Sequence, residues 1–457
     1  MNVLITLIVV IITGWAIMKK IKPQTVLVIA GLFLMLYAYF FGYKTEFVTA
    51  KQSTGLPIFD MFAYIRYTLA KDIAGLGLTI MVGAGFAKYM DYIGASSRMV
   101  DVCIGPLKKL NAPYIVNAMG FATCMILSLA IQSASALATL TMVTVYPIIR
   151  RLGISPAAAA SVVATGHLLD LGPAAATSIL ISNVANVSIT KLFVEHQLPV
   201  YFISGVIATI AHYFWQKHLD RKEGLMNQEF TETVSGDSNA SVSMPGPYGY
   251  LILPCLPLFF ILTFSEYGYS AIRLDIITAM LISFAIAMVC EIFRYKDFKK
   301  VAASINEFFG GMGKMFGVTV TLIVAAEVFA YGITATGTID ILIDATKNSG
   351  LGINAITLGI CALIIGVSIV TGSGVAAMYS FAPLIPNFAS GIGADPLIIL
   401  HAMQNAASLG RQLSPVAAVI VIVAGLAGVS TVDLVKRNSV PILISMVVSA
   451  VAILMMY

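Results

Sequence analysis

Arg411 stands in SLGRQLSP (408–415), between PLIILHAMQNAA and VAAVIVIVAGLAGV, where bilayer hydrocarbon is expected. A charge at that depth costs a few kcal/mol at least and usually marks a path for substrate or ion. Its guanidinium offers paired donors that fit a carboxylate. Gly410 before it and Pro415 after it interrupt the helix, so freed backbone N–H groups can converge on the same anion. Asn405, Ser414, Gln404 and Gln412 lie close enough in sequence to complete a polar lining. The competing role is structural: an arginine that snorkels or is tied to backbone carbonyls.

Two more stretches carry the same kind of chemistry. Gln132-Ser133-Ala134-Ser135 and Thr371-Gly372-Ser373-Gly374 sit at the polar centres of long apolar segments. Small hydroxyl residues there can donate to a carboxylate or offer oxygen to a cation. The plain alternative is that they only pack helices closely. Three ionisable residues lie at membrane depth: His167, Asp170 and Glu327. His167 and Asp170 are three apart and share a helix face if the helix holds there. They suit a proton relay or a cation site, with H+ or Na+ as the coupling ion, or a buried pair that only stabilises. His401 is alone and reads as a satisfied packing histidine.

Something must hold these residues in an apolar medium. Of the 457 residues, 59% are apolar and 11% are charged, with mean hydropathy +0.92. Soluble domains carry about 25% charged residues, so the chain reads as an all-α polytopic membrane protein. The net charge of +5 is spread between apolar segments, which excludes a nucleic-acid partner and fits the positive-inside rule. Five scattered cysteines have no CxxC or Cys/His spacing, so neither a metal site nor a disulfide framework is expected, and no cofactor. GGMGKM (310–315) is a poor phosphate loop, and no GxSxG or HExxH occurs, so an enzyme is not expected. MNVLITLIVVIITGWAIMKK lacks a basic n-region and a cleavage site, and reads as a first membrane helix.

Hydropathy places spans near 2–18, 24–42, 73–93, 155–190, 198–215, 248–267, 272–293, 316–335, 397–427 and 439–456. Segments 113–149 and 353–388 are too long for one crossing and read as re-entrant hairpins, because Lys108, Lys109, Arg150 and Arg151 flank the first on one side. Helices 155–190 and 397–427 would be roughly 45–55 Å long at about 1.5 Å per residue, against a core of about 30 Å. Each must break, at Gly166, Gly172 and Pro173 in the first and at Gly410 and Pro415 in the second. Most of the 27 basic residues then fall in cytoplasmic loops, Arg151 and Lys436–Arg437 included. Both termini fall on the periplasmic side. The polar stretch 216–247, with Asn239, becomes a cytoplasmic linker.

That linker separates related halves, 1–215 and 248–457. FAKYMDYIG (86–94) parallels FAYGITATG (329–337), and QSASALATLTMVTVYP (132–147) parallels TGSGVAAMYSFAPLIP (371–386). Pro173, Val187, Ser188, Leu192 and Pro199 recur at identical intervals as Pro415, Val429, Ser430, Leu434 and Pro441. Five crossings per half invert the second half in the membrane. Inverted repeats with broken helices are the mark of secondary transporters. From the residues alone, the reading is a secondary carrier of a small anion.

IAGLGLTIM (73–81), YMDYIGAS (89–96), TGSGVAAMYSFAPLIPN (371–387), SLGRQLSPV (408–416) and VKRNSVP (435–441) carry a resemblance over essentially the whole chain. The sequence resembles the anaerobic C4-dicarboxylate carriers of the DcuC/DcuD type, within a wider ion-transporter superfamily. The resemblance implies an inner-membrane carrier of fumarate, succinate and malate, working by exchange or cation-coupled symport. It also implies an elevator mechanism and a homodimer. Ser133–Ser135 and Thr371–Gly374 match the superfamily's substrate and cation motifs, and Arg411 sits in the family's LGR-x-x-SP stretch. His167 and Asp170 depart from the family's apolar, small residues at the first break, and Glu327 looks more like the DcuD branch. An acidic amino acid or hydroxy acid is the alternative substrate.

Overall fold

The computed structural model describes residues 2–19, 21–225, 244–272, 274–348 and 350–456. Among them all regular structure is helical. Seven helices among the described residues are long and apolar enough to cross a membrane, or up to eight if the bent pair Pro57–Ala74 and Leu76–Tyr92 counts as one span. Proline opens several helices of the chain, at Pro23, Pro57, Pro113, Pro156 and Pro396, where its missing N–H costs nothing.

Both long apolar segments turn back on themselves. Pro113–Ser128 and Ala134–Arg151 meet at residues 129–133, and Ser133 caps the second arm by accepting from the Ala136 N–H at 3.3 Å. Ile353–Thr371 ends on Gly372 at φ +71°, and Ser373 caps Gly374–Phe381 in the same way at 3.1 Å. The two longest expected helices are broken. The first comprises Pro156–Ala164 and Ala176–Val184, and the second Pro396–Arg411 and Ala418–Ala427. Gly166 shows why the first break begins there. A Cβ on it would lie 2.4 Å from Cys124 Cβ, so the turn presses on the first hairpin arm. In the second break Pro415 bars its predecessor from helical angles.

The restarting pieces cross over. Ala418–Ala427 packs on Ala134–Arg151 and Pro156–Ala164, whereas Ala176–Val184 packs on Gly374–Phe381 and Pro396–Arg411. Each cluster of buried apolar side chains therefore draws on both halves of the chain.

An outer set of helices is joined backbone to backbone. A Cβ on Gly31 would lie 2.7 Å from the Val328 carbonyl oxygen, and one on Gly332 would lie 2.7 Å from that of Gly31. Gly85 and Gly311 make the same close crossing between Leu76–Tyr92 and Phe298–Met315. Gly31→Ala is expected to lower stability by about 1–3 kcal/mol through overpacking. Gly14→Ala, which meets nothing within 4 Å, is expected to be harmless. Thermal unfolding in detergent distinguishes the two.

Several boundaries differ from expectation. Residues 57–74 form a helix although hydropathy passes over them, because Asp60, Arg66, Lys71 and Asp72 dilute their apolar face. Residues 298–315 are likewise helical, continuing through a π-helical stretch into Thr321–Ala335, so Lys314 is not in a loop. Lys88 pairs with Glu307 at 3.0 Å. The segment 248–267 is a 3-10 stretch, Tyr248–Cys255, followed by the short helix Leu256–Thr263. The linker begins later than expected, since Leu198–Lys222 is one helix with Gln216 and Asp220 buried. Its residues 226–243, Asn239 among them, lie outside the described residues. The last helix starts at Thr431, which makes Arg437 a buried helical residue and not a loop charge.

Candidate functional site

A cavity of about 210 Å³ lies where both turns meet both breaks. Ser133, Ala134 and Ser135 border it from the first turn, Gly372, Ser373 and Gly374 from the second, and His167 and Arg411 from the breaks. Three helices begin at its wall: Ala134–Arg151, Gly374–Phe381 and Ala418–Ala427. Each helix start carries N–H groups without intrahelical partners and the positive end of a dipole. Three helices also end there, at Ala164, at Thr371 with Gly372 as cap and at Arg411, so the backbone supplies N–H donors while the net positive charge comes from the guanidinium. The cavity's volume falls below the roughly 300–1,000 Å³ of drug-sized pockets, which suits a small metabolite.

Arg411 ends its helix on this wall. Its Nη2 donates to His167 Nδ1 at 3.1 Å, and it pairs with no carboxylate among the described residues. A guanidinium only donates, so Nδ1 must accept and the ring proton sits on Nε2. That nitrogen donates to the Gln132 carbonyl at 3.2 Å, tying the first turn to the arginine. Gln412 holds the first break from the other side, donating to the His167 and Leu168 carbonyls at 3.2 and 2.6 Å. Gly372 is needed where it stands. At its positive φ, a side chain would meet Ala417 Cα and N at 3.0 Å and push the second turn off the second break.

Other expected residues lie elsewhere. His167 and Asp170 do not share a helix face, because the helix stops at Ala164. Asp170 turns inward, accepting from the Thr177 hydroxyl at 2.9 Å, while its N–H donates to Ser408 Oγ at 3.0 Å. Gln404 does not line the cavity but braces that turn, donating to the Asp170 carbonyl at 2.7 Å. Thr371 stands one residue outside the lining and holds the turn, accepting from the Ser373 N–H at 3.2 Å. Ser414 is fully buried behind the break. Glu327 is remote and sits 3.5 Å from Lys71. Asn405 faces a different cavity altogether. His401 is buried with neither ring nitrogen partnered, so it is not the satisfied residue expected. Residues 417–420 were missed as lining, although the helix restart after Pro415 pointed to them.

Comparison with known proteins decides the family. A family described as "C4-dicarboxylate anaerobic carrier", DcuC, matches residues 1–457. The chain belongs to the DcuC family of carriers. It is 33% identical to the anaerobic C4-dicarboxylate transporter DcuC of Escherichia coli K12, over 97% of this chain and 95% of that one. It is 32% identical to the probable anaerobic C4-dicarboxylate transporter DcuC of Vibrio cholerae, over 98% and 96%. The carrier's fold is similar to that of MtrF from Neisseria gonorrhoeae, from a class of antimetabolite efflux pumps, with TM-score 0.64 at 14% identity over 94% and 95% of the two chains. The YdaH transporter of Alcanivorax borkumensis gives TM-score 0.63 at 14% identity over 95% and 98%. The chain is thus a multi-pass membrane transporter and not an enzyme.

Proposed function

We propose that this carrier moves C4-dicarboxylates (fumarate, succinate and malate) across the bacterial inner membrane, by exchange or by symport with H+ or Na+. One observation carries the reading: two turns, three helix starts and an arginine with no carboxylate partner among the described residues border one small cavity. A dicarboxylate has two negative ends for those donors. Ser133, Ser135 and Ser373 supply hydroxyls within the same walls.

Two inverted halves with re-entrant hairpins are supported by the crossed packing of the restarting pieces, since each half caps the other half's turn. The glycine-joined outer helices suit the fixed frame of an elevator and of a homodimer, with both termini periplasmic and hairpins and breaks in the moving body. His167 and Asp170 are the groups proposed to carry the coupling ion at the first break. Glu327, paired with Lys71 away from the cavity, has the weaker claim.

Uptake into proteoliposomes, screened over four-carbon acids with Na+ and pH varied, tests the function. Saturable uptake of labelled succinate, with counterflow driven by internal fumarate or malate, is expected. Linear uptake without counterflow would indicate a channel and overturn the reading.

A further inference from the structure

A second cavity of about 230 Å³ lies away from the first, between Ile353–Thr371, Pro396–Arg411 and Thr431–Met456. Its walls are almost wholly apolar, with Leu358, Ile365, Leu409, Ile453 and Leu454 among them. It opens beside Leu358 and Val447, which are 46% and 64% exposed on helices apolar enough to span the bilayer. Its mouth therefore faces hydrocarbon, and whatever enters comes from the membrane.

One polar group breaks this lining. Asn405 is 2% exposed, and both its Oδ1 and Nδ2 lack a partner among the described residues. The hydroxyls of Thr357 and Ser449, also in the wall, donate to the carbonyls of Ile353 and Met446 in their own helices at 2.9 and 3.1 Å. The amide alone is left with an acceptor and a donor side by side. An amide buried without partners is costly.

We propose that this crevice binds a long-chain fatty acid in its protonated form. A neutral carboxylic acid presents one O–H and one C=O side by side, the complement of a primary amide, so Asn405 makes two antiparallel hydrogen bonds with it once the side chains closing over the amide part. A carboxylate has no proton for Oδ1, and burying its charge here without a counter-charge is unfavourable. A phospholipid ester satisfies Nδ2 and leaves Oδ1 unpartnered. The acyl chain then lies along the apolar walls. Ile353–Thr371 links this site to the first cavity, because the helix bearing Ile365 ends at Gly372. An occupant wedged there restrains the second turn, so fatty acid is expected to slow transport without competing with substrate. That consequence rests on the proposed function; the binding does not.

Photolabelling tests the binding directly, using the full chain in nanodiscs with a diazirine-bearing hexadecanoic acid. Label is expected on peptides within 353–371 and 431–456, displaced by unlabelled hexadecanoic acid. It should fall about tenfold in Asn405→Leu, which removes two neutral hydrogen bonds. Ala450→Leu, which fills the crevice and keeps the amide, should also abolish it and serves if Asn405→Leu does not fold. Label spread over all membrane-facing helices, or unchanged in a folded variant, overturns the proposal. So does a diazirine phosphatidylglycerol that labels the same peptides with the same dependence on Asn405, since the occupant is then a phospholipid. If transport proves unrelated to dicarboxylates but labelling behaves as expected, only the proposed function fails.

Discussion

Arg411→Ala is expected to weaken binding of succinate or fumarate by about 30-fold or more, the effect of removing a buried charge-assisted contact worth about 2–5 kcal/mol. The prediction follows from what the guanidinium lacks. It reaches His167 at 3.1 Å and pairs with no carboxylate among the described residues, while three helix starts bring N–H donors to the same cavity. An arriving carboxylate gains two parallel hydrogen bonds that the protein itself does not occupy. Lysine keeps the charge but loses the fork, so Arg411→Lys should fall between alanine and wild type. A monocarboxylate, which has one anionic end to anchor, should lose less than succinate in Arg411→Ala. The measurement is ligand binding to purified protein of wild-type thermal stability. Unchanged affinity in Arg411→Ala would make the arginine structural.

How far the sequence carried the site depended on whether a signal was local. Arginine between glycine and proline, and small hydroxyls at the centres of over-long apolar segments, are local signals, and the structure gathers those residues around one cavity. The breaks were legible for the same reason at Gly166, Gly172, Pro173 and Pro415, whereas Gly410 stays inside helix Pro396–Arg411, where its lack of a side chain lets Ile365 and Ser368 pack closely. Asn405 was misplaced because the helix runs unbroken to Arg411. Six residues at about 100° each put Asn405 roughly 120° around the axis from the arginine. The His167–Asp170 pairing failed because the helix stops at Ala164, before it reaches either residue. Helix Pro57–Ala74 was hidden by its charges, because a hydropathy window averages over faces that packing keeps apart.

Arg437 shows what a local reading cannot find at all. Counted with Lys436 as a loop charge, it is instead 2% exposed, and its Nη1 lies 2.5 Å from Asp220 Oδ1, a partner 217 residues away. Its Nη2 donates to Glu223. Asp220 also accepts from the hydroxyls of Ser155 at 2.6 Å and Tyr114 at 3.0 Å, so one carboxylate joins four elements. From there hydrogen bonds lead back to the cavity. Gln216 donates to the Arg437 carbonyl at 3.0 Å and to Ser161 at 3.1 Å, and Ser161 donates to Asn438 at 2.7 Å. Asn438 in turn donates to the carbonyl of Gln412, which lines the cavity.

Arg437→Met should therefore destabilise the fold by about 3–5 kcal/mol, because it strands the Asp220 charge in a buried site. The remedy is specific. Adding Asp220→Asn removes the stranded charge, keeps one acceptor oxygen for a hydroxyl and turns the other position into an N–H donor that a hydroxyl oxygen can accept, and should recover much of the loss. A merely spacious pocket around methionine would predict no such recovery. Thermal unfolding in detergent over the single and double variants reads the coupling directly. Strictly additive losses would mean that Arg437 and Asp220 stabilise the carrier independently, and the link from the ion pair to Gln412 would lose its anchor.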